Sequence, residues 1–218
     1  MLPQLPIHGI SLHADDEVLH LHSRKPLSIL SSSFFGAGFL RASHILNANV
    51  PKNYCSDDPA ADLQRIAARC GVDEPFVGLL TAVPMRKARV AFAEEDGLRV
   101  AAVVTAGTGN ATSAGITQPW RESGAGTINI ILLLDAQLTE AAMLNAIITA
   151  TEAKCAVLHA MNIRTPDGEP ATGTSTDTVT VAATGHGTVQ PYAGPATVLG
   201  WLIAKAVRQA VEVSLRAA

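Results

Sequence analysis

Thr127–Asp135 reads TINIILLLD, and two residues later Leu138–Asn162 reads LTEAAMLNAIITATEAKCAVLHAMN. An unbroken apolar run of strand length, closed by Asp135, suits a β-strand covered on both faces. The second segment has the length of a helix, and Thr139 stands at its N-cap position. A doubly covered strand followed by a long helix places the chain among folds that layer helices on a sheet. Upstream, KARVAFAEEDGLRVAAVVTAG (Lys87–Gly107) gives two strands joined by a Glu-Glu-Asp-Gly turn, preceded by a strand in FVGLLTAV (Phe76–Val83). CSDDPAADLQRIAARCGV carries the clearest helix start, with Asp58 as N-cap, Pro59 at the first helical position and Gly71 as the terminating glycine. Leu27–Ser31, Val18–His22 and Ile7–Leu12 read as a short β-meander turning at Asp15-Asp16. The apolar spacing of FLRASHILNANV (Phe39–Val50) predicts a short helix ending before Pro51. Downstream, a Pro/Gly/Thr-rich loop (Thr165–Thr176) leads to the strand DTVTVAAT, and a last helix runs from about Pro195 to Leu215. The expectation is an α/β (α+β) sandwich of one domain over residues 1–218, with a mixed, largely antiparallel sheet and flanking helices.

Composition narrows the function classes. Of 218 residues, 48% are hydrophobic and 16% charged, with mean hydropathy +0.24, far too apolar for a disordered chain. The net charge of −3 comes without a basic block, and aromatics are 4%, which speaks against phosphate-led or base-stacking nucleic-acid binding. Cys55, Cys70 and Cys155 are scattered and form no CxxC. The start MLPQLPIHG has no signal-peptide pattern, and VLGWLIAKAV is short and broken by Lys205, so a cytoplasmic chain with no membrane span is expected.

Three loops rich in small residues are read as following buried strands: Gly107–Gly115 (GTGNATSAG), Gly124–Asn129 (GAGTIN) and Ala171–Asp177 (ATGTSTD). Such loops offer backbone N–H groups with Thr, Ser and Asn side chains, dense neutral hydrogen bonding suited to an amide- or phosphate-rich ligand. They are expected to line one cleft. None has GxGxxG or GxxxxGK[ST] spacing, and GxSxG and HExxH are absent. His20 and His22 share a strand face without a third partner in sequence, so no metal site is read. On the long helix, Asn145, Thr149, Glu152 and His159 fall along one face beside an apolar stripe that includes Leu144, Ile148 and Leu158.

Taken in order, VTAGTGNATSAG, GTINIILLLD, ITATEAK, ATGTSTDTVTVA and PYAG with TVLGWLI resemble the CbiZ family, the adenosylcobinamide amidohydrolases. LSSSFFGAGFLRASHILNANVPKNY is similar to that family's N-terminal segment, with Phe35-Gly36-Ala37-Gly38 where an Asn-Gly-Gly-like run is expected, and Cys155 where Thr is common. The resemblance implies cleavage of the amide joining the aminopropanol arm to the corrin ring of adenosylcobinamide, giving adenosylcobyric acid. The corrinoid, with its cobalt, is then substrate and no resident cofactor is expected. Amide hydrolysis needs an activated nucleophile, donors for the oxyanion and an acid for the leaving amine. Within the family-like words Glu152 is read as the base for water, with Asp177 sharing or orienting that role. Lys154 or the loop N–H groups near Thr172–Thr176 would stabilise the oxyanion. Thr174, Ser175 or Thr176 is the alternative covalent nucleophile. Asn110, Thr105, Thr127 and Asn129 are read as ligand-positioning residues, with His44 and Asn47 more distant. Two other readings stay open: a non-catalytic corrinoid carrier, and a general small-amide hydrolase with a Thr or Ser nucleophile. A homo-oligomer is compatible with the sequence.

Overall fold

The computed structural model describes residues 3–119 and 125–217; Gly124, assigned to the second loop, lies outside the described residues. The elements are β1 (Ile10–Ala14), β2 (Val18–Ser31), β3 (Gly38–Asn49), α1 (Pro59–Arg69), β4 (Phe76–Thr81), β5 (Arg89–Glu95), β6 (Leu98–Ala106), β7 (Ala111–Thr112), β8 (Ile128–Leu134), β9 (Gln137–Leu138), α2 (Glu140–Ala160), β10 (Gly173–Thr174), β11 (Thr178–Ala183), β12 (Val189–Gln190) and α3 (Val198–Arg216). An eight-stranded sheet runs β4-β3-β2-β11-β8-β6-β5, with β1 beside β2. Within this sheet, among the described residues, β3/β4 and β8/β11 pair in parallel and the other neighbours are antiparallel; β9 and β12 form a separate parallel pair. The mixed, largely antiparallel sheet with flanking helices is therefore as the sequence indicates.

Three apolar clusters define the layers. Ile128, Ile130, Leu132 and Leu134 of β8 pack under α2 and α3. Ile131 and Leu133, on the opposite face, meet Leu19, Leu21, Ile45, Val77 and Leu79. Leu46, Ala48, Val18 and Phe76 pack against Leu63 and Ala67 of α1. The sheet therefore folds over itself, giving helix, sheet, sheet and helix in succession. The bend lies in β2. Its register against β3 shifts between His22 and Leu27, and the irregular stretch includes Pro26, a residue tolerated in a sheet where the ladder is broken. On the other edge of β2, β1 pairs with Leu19–Ser23 and β11 with Ser28–Ser31.

Two expectations change. Phe39–Val50 is not a helix: Gly38–Asn49 is a strand. Ile45 faces the inter-sheet core and Leu46 faces α1, so consecutive apolar residues are what a strand covered on both faces requires. The meander's second and third strands are one continuous strand, β2.

α1 starts as expected: Asp58 accepts from Ala61 N–H at 2.9 Å, and Gly71 has φ +70° beyond the helix. Thr139 accepts from Ala142 N–H at 3.1 Å and opens α2. The buried face of α2 is not the Leu144/Ile148 stripe, since those side chains are 50% and 55% exposed. Ala142, Ala146, Ala150 and Ala153 face inward, and small residues let the helix approach the sheet and α3 closely. α2 is long and apolar enough to cross a bilayer by length and composition, but half of it is buried in this core.

Candidate functional site

The C-terminal ends of β2, β3, β4 and β6 and the N-terminal ends of β8 and β11 come together at one end of the sandwich. A cleft of about 450 Å³ opens there. Its lining includes Asn110, Gly126, Thr127, Ser175, Thr176 and Thr178, so the three small-residue loops share one site. Asn110 Nδ2 donates to Ser175 Oγ at 2.8 Å, and the Thr127 and Thr176 hydroxyls lie 2.7 Å apart. Gly126 is required where it stands: a Cβ would sit 2.6 Å from Asn110 Oδ1 and 2.7 Å from Gly109 N. Asn110 Oδ1 is buried and has no hydrogen-bond partner among the described residues.

Asp177 fixes the third loop from behind. Its carboxylate accepts from Ile128 N–H (3.0 Å), Thr174 N–H (3.1 Å), Thr174 Oγ1 and Lys154 Nζ (2.5 Å). Lys154 reaches it from α2 past Gly173, where a Cβ would lie 2.7 Å from Nζ. Thr172 accepts from Ala114 N–H at 3.0 Å and ties the first loop to the third. Cys155 Sγ contacts Thr172 O at 3.0 Å, and burial raises its thiol pKa, which keeps it protonated.

Beneath the floor lies a buried network. Asn47 Nδ2 donates to Thr105 Oγ1 at 2.9 Å, and Asn129 Nδ2 donates to Asn47 Oδ1 at 2.9 Å and to Leu80 O at 3.0 Å. Thr178 Oγ1 donates to Asn129 Oδ1 at 2.9 Å. Asn47, Thr105 and Asn129 thus join the two sheet layers below the cleft, and none of them lines it.

Two site residues fall elsewhere. Glu152, read as the base for water, lies exposed on α2 with no hydrogen bond or ion pair among the described residues. Two helical steps turn the chain by about 200°, so burial of Lys154 against Asp177 behind the third loop directs Glu152 away from the site. His44 is on the outer face of β3. There it stands 2.8 Å from His20 Nε2 and 3.1 Å from Glu74, with the His22 ring stacked on it at 4.6 Å. Among the described residues no group of three or more His, Cys, Asp or Glu is placed to hold a metal ion.

The lining also contains residues not picked out individually from the sequence: Ser33, Phe34, Lys52 and Tyr54. They follow the ends of β2 and β3, inside the LSSSFF and PKNY words, and reading Phe39–Val50 as a helix hid their approach to the loops. Among the described residues of the lining, Lys52 alone carries a formal charge. Tyr54 donates to Asp62 at 2.6 Å; burial raises its pKa and the Asp62 carboxylate adds to the shift.

Fold and site together define an α/β sandwich with a cleft at the strand ends, lined by Ser and Thr hydroxyls together with Lys52 and backed by a buried Lys–Asp pair. A family model described as "CbiZ: Adenosylcobinamide amidohydrolase" matches residues 4–218. A Methanosarcina mazei protein named adenosylcobinamide amidohydrolase is 34% identical over 193 residues, covering 84% of this chain and 88% of that one. A Halobacterium salinarum protein of the same name is 31% identical over 194 residues, covering 84% and 78%. The chain belongs to the adenosylcobinamide amidohydrolase family. In fold it is similar to the PH0078 protein from Pyrococcus horikoshii OT3, with TM-score 0.50 and 14% identity over 98% of this chain and 80% of that one.

Proposed function

We propose that the protein hydrolyses the amide between the aminopropanol arm and the corrin ring of adenosylcobinamide, releasing adenosylcobyric acid and 1-amino-2-propanol in corrinoid salvage. The family match over residues 4–218, which spans all three loops of the cleft, is the observation that carries this reading. The corrinoid is the substrate, and its cobalt enters and leaves with it.

Chemically, the cleft offers neutral hydrogen bonds suited to an amide. Ser175 accepts from Asn110, so its own O–H is available to donate toward the amide oxygen as negative charge develops there. Thr174, 8% exposed and next to the lining residue Ser175 without lining the cleft itself, is the loop hydroxyl held against a carboxylate. In our reading Thr174 Oγ attacks the carbonyl carbon and its proton leaves through the Asp177–Lys154 pair. The C–N bond then breaks, the departing amine takes up a proton, and water hydrolyses the resulting Thr174 ester to restore the hydroxyl.

Purified protein incubated with adenosylcobinamide is expected to yield adenosylcobyric acid and 1-amino-2-propanol on chromatography. Binding without either product over a long incubation would leave a carrier. Acid quenching during turnover followed by peptide mass spectrometry should find the corrinoid acyl group on the Thr174 peptide. Full turnover with no adduct in a pre-steady-state burst would replace covalent catalysis by direct attack of water.

A further inference from the structure

The cleft is small for its substrate. Small-molecule pockets run from about 300 to 1,000 Å³, and 450 Å³ lies in the lower part of that range. A corrin macrocycle with its amide side chains and adenosyl group is far larger, so most of it must stay outside. Phe34 stands in the lining with its side chain 54% exposed.

That exposure belongs to an anchored segment. Ser33, immediately before it, is 1% exposed; its N–H donates to Ser31 Oγ at 3.1 Å and its hydroxyl to Phe35 O at 2.8 Å. Phe35 O accepts from Gly78 N–H at 3.0 Å, and the Phe35 ring stacks on Phe76 at 4.6 Å. Gly36, at φ +73°, approaches so closely that a Cβ would lie 2.7 Å from Phe76 O. The chain is pinned before and after Phe34, and the one large apolar side chain between the pins is left open to solvent at the cleft. An aromatic ring fixed in this way offers a flat apolar surface with few side-chain torsions to order.

We propose that Phe34 is the platform on which the ring system of the corrinoid rests, while the cleft admits only the amide-bearing arm. This rests on the amidohydrolase reading above, and it assigns recognition of the substrate's two parts to two surfaces.

The test compares wild type with Phe34→Ala and Phe34→Trp, using adenosylcobinamide and the arm analogue N-acetyl-1-amino-2-propanol as a competitor. Phe34→Ala should weaken adenosylcobinamide binding and raise its KM roughly tenfold, about 1.4 kcal/mol. The melting temperature and the inhibition constant of the arm analogue should not move. Phe34→Trp should restore corrinoid affinity. Unchanged corrinoid binding in folded Phe34→Ala overturns the platform; an equal loss for the small analogue does so too, by placing Phe34 on the arm. If wild type binds the corrinoid without cleaving it, the hydrolase reading fails, and the binding comparison alone still decides the platform.

Discussion

Asp177→Ala removes the acceptor of four hydrogen bonds in one substitution. Lys154 and Asp177 side chains are 8% and 14% exposed, so the remaining ammonium has little access to water. Breaking a buried pair by deleting one partner costs about 3–5 kcal/mol, because a desolvated charge is left uncompensated. Ile128 and Thr174 N–H groups lose their acceptor as well. We take about 4 kcal/mol as the total, since the loop relaxes and some water enters. For a chain of this length each kcal/mol moves the melting temperature by about 2–4 °C, giving a fall of roughly 8–16 °C. Calorimetry together with urea unfolding measures it. Lys154→Met in the Asp177→Ala background removes the stranded cation and should recover part of the loss, about 2 kcal/mol. A single variant melting within about 2 °C of wild type, or a double variant no more stable than the single, would refute the keystone argument.

Glu152→Gln should leave turnover unchanged and stability within about 0.5 kcal/mol, because the side chain is exposed and has no partner among the described residues; a loss of turnover by 100-fold or more, about what a positioned base contributes, would return it to the site. Burial and the neighbouring His44 and His22 depress the His20 pKa from 6.5 to about 4. Below pH 6.5 the unfolded chain takes up a proton that folded His20 resists, so stability is expected to fall as pH drops from 7 toward 4. His20→Gln should flatten that part of a melting-temperature profile, and an unaltered profile would count against the assignment.

Local chemistry made several elements legible in the sequence. Asp58, Pro59 and Gly71 bound α1 through caps that act within a few residues, and Asp96 and Gly97 (φ 51° and 76°) form the hairpin turn. Convergence of the three loops was legible because each borders a buried strand. β3 was not, because its two apolar faces are defined by distant partners, α1 on one side and the inter-sheet core on the other. The polarity of α2 misled for a related reason. Four alanines on its inward face carry little hydropathy contrast beside Met143, Val157 and Leu158, so Leu144 and Ile148 marked the outside and Glu152 stood out where Lys154 is the buried group. Ser33, Phe34 and Lys52 joined the site only once β2 and β3 had their true lengths.

β2 belongs to both layers of the sandwich, and the cleft has one wall on each. Leu79–Thr81 stand on one side and Gly126, Thr127 and Ser175–Thr178 on the other, while the Asn129–Leu80 hydrogen bond ties the walls below the floor. Walls joined through a shared strand and a buried tie do not separate like jaws. The opening is a fixed gauge: a ligand is sorted by the thickness of the part that enters, and amides in the floor should exchange with deuterated water at the same slow rate with the cleft empty or filled.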